Sequence, residues 1–228
     1  MKRNQSGFTL IEIAIVLVII GLLLGGILKG QELINSAKVK NLANDFKNVP
    51  VYIYGFQDKY KALPGDQLQI ELDAQFPPAS TATACTPAAA SHCAPHNGVI
   101  DGGWDASTTS GTDESFVFWQ DVRLAGFSPG ATVLTDAAYR PTNAVNGFIG
   151  VTNAAQSPVT GIKGTYIVCS DAIPGKFAKQ LDVTLDDGNT ATGSMMVVPA
   201  GTPTTAPVAP TATASIVDDT PYLVCMGY

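Results

Sequence analysis

Histidine is almost missing from this chain: two of 228 residues, at positions 92 and 96. Tryptophan also occurs only twice, and charged residues make up just 14%. There is no G-x-S-x-G elbow, no glycine-rich phosphate loop and no H-E-x-x-H metal clip. These gaps remove the common hydrolytic, nucleotide-binding and zinc-protease chemistries, so no enzymatic activity is expected. The net charge of −6 is unevenly placed. Residues 1–61 carry eight Lys/Arg against four Asp/Glu, whereas 62–228 carry five against fifteen. An acidic globular part argues against a nonspecific nucleic-acid surface as its main role, while leaving a local basic patch open. With 22 Gly and 15 Pro, loops should be plentiful, and the length suits one domain with an appendage or two small domains.

Against that polar background stands one long apolar run. From Phe8 to Leu28 there are 21 residues, and Glu12 is the only charged one. As a helix this run is about 30 Å long, the thickness of a bilayer's hydrocarbon core. The preceding "MKRNQSG" carries Lys2 and Arg3 and no acid, which keeps that end cytoplasmic. A secretory signal has a shorter apolar stretch and a small-residue cleavage site. Here Lys29-Gly30-Gln31-Glu32 follows instead. Hydropathy alone therefore reads as a signal anchor. Glu12 complicates it, because a charge deep in a bilayer costs about 2.5–3.5 kcal/mol on insertion scales.

Gly7, Phe8, Thr9, Leu10, Ile11 and Glu12 spell G-F-T-L-I-E behind a short basic leader. This resembles the prepilin signature shared by type IV pilins and the pseudopilins of type II secretion. The resemblance implies cleavage between Gly7 and Phe8 by a membrane-embedded prepilin peptidase, and N-methylation of Phe8. It also implies that Glu12 meets the N-terminal amine of a neighbouring subunit during assembly. Two opposite charges attract strongly in low dielectric and each is costly alone, so such a pair penalises docking at the wrong height. The plainer alternative is a Glu12 that snorkels to the cytoplasmic headgroups.

Beyond the run, Val39, Leu42, Phe46, Val49, Ile53, Phe56 and Tyr60 are spaced alternately by three and four. That is a helical stripe, with lysines 38, 40, 47, 59 and 61 lying off it. One helix of about 50 residues is expected, bent at Pro50 and ended by "ALPGD" at 62–66. The stripe is expected to cover a sheet in the same chain rather than to form a coiled-coil seam. Gly21, Gly25, Gly26 and Gly30 permit close helix approach. Major pilins usually place a helix-breaking proline where Lys29 stands here.

In the remainder, "TDESFVFWQDVRLAGF" (112–127) reads as a short helix capped by Thr112 and stopped by Gly126. Candidate strands are 146–151, 165–169, 180–185, 194–198 and 221–226, with "DDGN" (186–189) as a hairpin turn. The expected fold is α+β: a pilin-like long N-terminal helix packed on a C-terminal antiparallel sheet. "DKYKALPGD", "FWQDVRLAGF" and "IPGKFAKQLDVTLDDGNTATG", in that order, also resemble prepilin-type proteins. The Pro/Thr/Ala-rich segment 199–215 cannot pack a core and is expected to be an exposed, flexible loop.

Cys85, Cys93, Cys169 and Cys225 are an even set behind a membrane segment, which suggests an oxidising compartment and two disulfides. Three pairings are open. The simplest joins Cys85 to Cys93 around a small loop and Cys169 to Cys225, tying down the last strand. Cys85, His92, Cys93 and His96 are the zinc alternative, but the two cysteines lack a C-x-x-C clip. Asp101, Asp105, Asp113 and Glu114 flank a Gly-rich loop, and Asp186 and Asp187 open another oxygen-rich turn. Calcium takes six to eight oxygens, and Asp186 and Asp187 are its candidates; without an EF-hand register, turn chemistry is preferred and no cofactor is expected.

The domain plan is a leader at 1–7, a transmembrane assembly helix at 8–28, its amphipathic continuation at 29–61 and a β-rich periplasmic or extracellular domain at 62–228. The resemblance implies a filament subunit whose partners are itself and other pilins, prepilin peptidase, an inner-membrane assembly platform and the inner membrane. It implies residence in the bacterial inner membrane and then in a surface pilus or a periplasmic pseudopilus. A type II secretion pseudopilin and a signal-anchored adhesin or binding module are the alternatives. Major or minor rank, and a role in adhesion, motility, DNA uptake or secretion, stay open at this stage.

Overall fold

The computed structural model describes residues 10–76, 82–86, 92–107 and 113–228. It contains a long helix α1 (Leu10–Tyr60), a short α2 (Gln69–Gln75), α3 (Glu114–Leu124) and α4 (Gly175–Leu185). Four strands follow the same chain order: β1 (Ile149–Thr152), β2 (Ile167–Pro174), β3 (Met195–Pro199) and β4 (Pro221–Gly227). The strands form one antiparallel sheet in the order β1-β2-β4-β3. This is the α+β, pilin-like arrangement expected. The chain divides into two compact units, residues 1–38 and residues 39–228.

In the first unit no described side chain is buried. In the second, α1 buries Val39, Leu42, Ala43, Phe46, Val49, Ile53 and Phe56, which is the three-four stripe of the sequence. All of these but Phe56 share one core with β-sheet residues Ile149, Val151, Val168, Ile173, Met195, Val197, Tyr222 and Val224. The stripe therefore covers a sheet of its own chain.

Alternation along the strands creates a second core on the opposite face. Ile167, Cys169, Met196, Val198, Leu223 and Cys225 point there and pack with Trp104, Val159 and Ile162. Trp104 reaches β1 only because residue 150 is glycine: a Cβ at Gly150 would lie 1.8 Å from the Trp104 carbonyl oxygen. Because both faces are buried, the strands are apolar almost throughout.

α1 runs through Pro50 without interruption. Proline has no N–H, so the Phe46 carbonyl loses its usual donor four residues on. The Tyr228 hydroxyl replaces it, donating to the Phe46 oxygen at 2.7 Å. The helix ends at Lys61, which adopts the left-handed conformation (φ 58°) and donates its N–H to the Gln57 carbonyl.

Two expectations are corrected. Segment 180–185 is not a strand but the second half of α4, so "DDGN" closes a helix rather than a hairpin. Phe177, Ala178, Leu181 and Asp182 are buried on one helical face, while Val183 is 71% exposed. The apparent alternation Leu181-Val183-Leu185 therefore loses to the 3.6-residue period. Helix α3 begins after Asp113, and the Thr112 cap lies outside the described residues. Segment 199–215 is largely exposed, as expected, but it is fastened. The Thr202 carbonyl accepts from Trp104, Val208 is bonded on both sides to Pro158 and Thr160, and Thr211 donates to Val197.

Candidate functional site

The first candidate is the outer surface of α1 before Lys38. Every side chain from Leu10 to Leu28 is exposed, including Leu10 (88%), Leu22 and Leu28. Contiguous apolar surface of this extent marks a membrane or protein interaction. The helix is long and apolar enough to cross a membrane. Glu12 lies in its first turn, where a carboxylate is favoured by the positive end of the helix dipole. A Cβ added at Gly21, Gly25, Gly26 or Gly30 meets nothing within 4 Å, so these positions are open in the single chain. Lys29 is held by Glu32 at 2.6 Å across an exposed helix turn. Gly7 and Phe8, the expected cleavage and methylation positions, lie outside the described residues.

Residues 2–28 match the prokaryotic N-terminal methylation motif. The chain carries the type IV pilin and pseudopilin signature. No curated protein matches the chain, and no solved structure does either. The signature supports a type IV pilin-like or pseudopilin subunit, a structural role, and the apolar N-terminal helix fits membrane anchoring.

A second set of residues lies where the "ALPGD" turn meets α3 in the β-rich unit. The "ALPGD" turn docks on α3: the Gly65 N–H donates to Asp121 at 2.7 Å, and both are buried. Asp121 is fully buried, and its other oxygen has no hydrogen-bond partner. Burial pushes its pKa up to about 7, against the lowering effect of the Gly65 bond. Glu114, at the start of α3, is also fully buried; it accepts from the Ala94 and Asp101 N–H groups. Burial raises it to about 7 despite those bonds, with the Asp66 charge adding to the rise. Asp66 accepts from the Asn97 and Gly98 N–H groups, and burial raises it too. These carboxylates hold loop backbone in place. Each is buried among hydrogen-bond donors of its own chain, an arrangement that serves fastening.

The cysteines pair as Cys85–Cys93 and Cys169–Cys225. The second bridge joins directly opposed residues of β2 and β4. The first consumes both sulfurs of the zinc alternative, which needs thiolates. Its histidines face carboxylates: His92 stands 3.6 Å from Asp113, and His96 2.9 Å from Glu71. The calcium candidates serve as turn acceptors. Asp186 accepts from the Met195 N–H, and Asp187 from the Asn189 N–H and the Thr192 hydroxyl. Asp101 is bonded by Asn97 and Asn153, and Asp105 by Thr204.

Sequence reasoning did not single out Asp66, Asp121 or Gln67. For Asp121 a signal existed: α3 reads "ESFVFWQDVRL", apolar on more than one face, so its polar residues had to be buried as well.

Proposed function

We propose that this chain is a structural subunit of a type IV pilus-like filament. Prepilin peptidase cuts between Gly7 and Phe8, and the new amine at Phe8 is methylated. Residues 8–28 hold the subunit in the bacterial inner membrane, N-terminus cytoplasmic, until an assembly platform extracts it. In the fibre, packing of apolar helices supplies the association energy, with the glycine positions permitting close approach. Glu12 pairs with the amine of the next subunit and sets register. The β-rich unit faces outward and carries whatever specificity the fibre has.

The observation that carries this reading is the coincidence of the methylation motif at 2–28 with a helix whose apolar side chains are exposed from Leu10 to Leu28. A pseudopilin of type II secretion is the second reading; α1 passes Lys29 as regular helix where major pilins usually have a proline, which weighs against the rank of major subunit.

Mass spectrometry of the mature protein tests the processing. A chain beginning at methylated Phe8 is expected, and one that begins at Met1 in cells with active prepilin peptidase would refute it. Glu12→Ala should insert normally but fail to assemble, whereas a plain membrane anchor would be indifferent to the change. Recovery in fibres sheared from cells separates the pilus from a periplasmic pseudopilus.

A further inference from the structure

The two disulfides differ in what surrounds them. Cys169 and Cys225 are wholly buried in the second core. Cys85 is buried too, but Cys93, alone of the four cysteines, keeps accessible surface. An acid lies beside this bridge. The Glu114 Oε1 stands 3.6 Å from the Cys85 Sγ, and both sulfurs and a Glu114 oxygen fall within 4.8 Å of one another. A disulfide sulfur has no hydrogen to give. The contact is therefore a hydrogen bond in only two states: with a proton on Glu114, or with Cys85 as a thiol.

The chain around the bridge is fastened without it. Before Cys85, the Thr83 N–H donates to Gln120 and the Ala84 N–H to Gln69. Around Cys93, the His92 N–H donates to Asp113, the His92 carbonyl accepts from Glu114, and the Ala94 N–H donates to Glu114. Each segment is tied to α2 or α3 in its own right. A closure of eight positions also restricts the unfolded chain less than a long one does. The backbone bonds keep the two sulfurs near each other when the bridge opens, so it can close again.

We propose that Cys85–Cys93 is an exchange site for a dithiol, with Cys93 as the sulfur attacked and Glu114 as the acid–base group for Cys85. The dithiol's thiolate attacks the Cys93 Sγ, forming one S–S bond as the Cys85–Cys93 bond breaks. The electron pair leaves on Cys85, and Glu114 hands its proton to that sulfur. The dithiol's second sulfur, its proton lost to water, then attacks its own first sulfur and closes an intramolecular disulfide. Cys93 leaves as a thiolate and takes a proton from water, and Glu114 regains one in the same way. The chain has gained two electrons and two protons, and the dithiol has lost them. In reverse, Glu114 takes the Cys85 proton and Cys85 attacks a mixed disulfide on Cys93.

Burial holds Glu114 at about 7, where a carboxyl both gives and takes a proton near neutrality. The charges that face it are Asp66 and Asp101, and both raise it further. His92 and Asp113, 3.6 Å apart, are the ionisable pair next to Cys93. The site lies wholly in the β-rich unit, and the proposal stands whether or not the chain forms a filament.

The test uses the full chain in detergent. Dithiothreitol is added, thiols are trapped with iodoacetamide at intervals, and peptide mass spectrometry locates them. Cys85 and Cys93 should open at least about a hundredfold faster than Cys169 and Cys225, with the melting transition retained. Oxidised glutathione should restore the bridge. With the same reagent, Cys85→Ser should form its adduct on Cys93 at least about tenfold faster than Cys93→Ser forms one on Cys85. The rate constant per dithiothreitol thiolate should fall about tenfold from pH 6 to pH 9 as Glu114 loses its proton, and Glu114→Gln should flatten that profile. Opening only under conditions that unfold the chain, or equal reactivity of the two serine variants, would overturn the proposal. So would a flat pH profile in the parent, which decides the part of Glu114 even if its variant does not fold.

Discussion

Asp121 and Glu114 show what burial does to a carboxylate whose N–H donors, among the described residues, come from the backbone. Each is raised to about 7 from an ordinary value near 4. Between those limits the folded chain keeps protons that the unfolded chain has released. Stability therefore falls as pH rises from about 4 to about 7, the reverse of the salt-bridged carboxylate. The midpoint of thermal unfolding should be about 5 °C or more higher at pH 5 than at pH 8. Asp121→Asn keeps an acceptor for Gly65 and removes the titration, so it should flatten that profile. Melting curves across the pH series decide it; a midpoint that climbs between pH 5 and 8 would contradict the assignment. The apolar faces of α3 hinted that Asp121 is buried, but the partners were not legible in the sequence. The donors that engage these carboxylates come from Gly65, 56 positions from Asp121, and from Ala94, 20 positions from Glu114.

At the scale of elements, legibility depended on how many turns a pattern ran. The α1 stripe repeats over 39–56 with no competing period, and the structure buries those same residues. Segment 180–185 was too short to discriminate, because three apolar residues at alternate positions suit a strand as well as a helix edge. What decided it was burial of Phe177 and Ala178 upstream, beneath a sheet whose position the local sequence does not state. The assignment has a direct mutational consequence. Val183→Lys should change stability by less than about 0.5 kcal/mol, since that side chain faces solvent. Leu181→Ala removes a fully buried side chain and should cost about 2–5 kcal/mol. Urea denaturation of the two variants measures both. Equal losses would return the segment to a strand.

Across the whole molecule, stability rests on a four-stranded sheet buried on both faces and pinned at its centre by Cys169–Cys225. That bridge spans 56 positions, whereas Cys85–Cys93 spans eight. Chain-entropy arguments favour the longer closure, and replacing both Cys169 and Cys225 by alanine should cost about 2–4 kcal/mol. Replacing Cys85 and Cys93 in the same way should cost less, as compared by chemical denaturation. The cysteine count and order suggested both bridges, but the register that sets Cys169 opposite Cys225 became visible only once β2 and β4 were paired.

The contact between Tyr228 and Phe46 joins positions 182 apart in sequence. Until β4 is seated, water must serve the carbonyl that Pro50 leaves open, and the rod is free to hinge there. Seating the last strand inserts the missing rung. Stiffness at the midpoint of α1 is therefore a property conferred by the sheet.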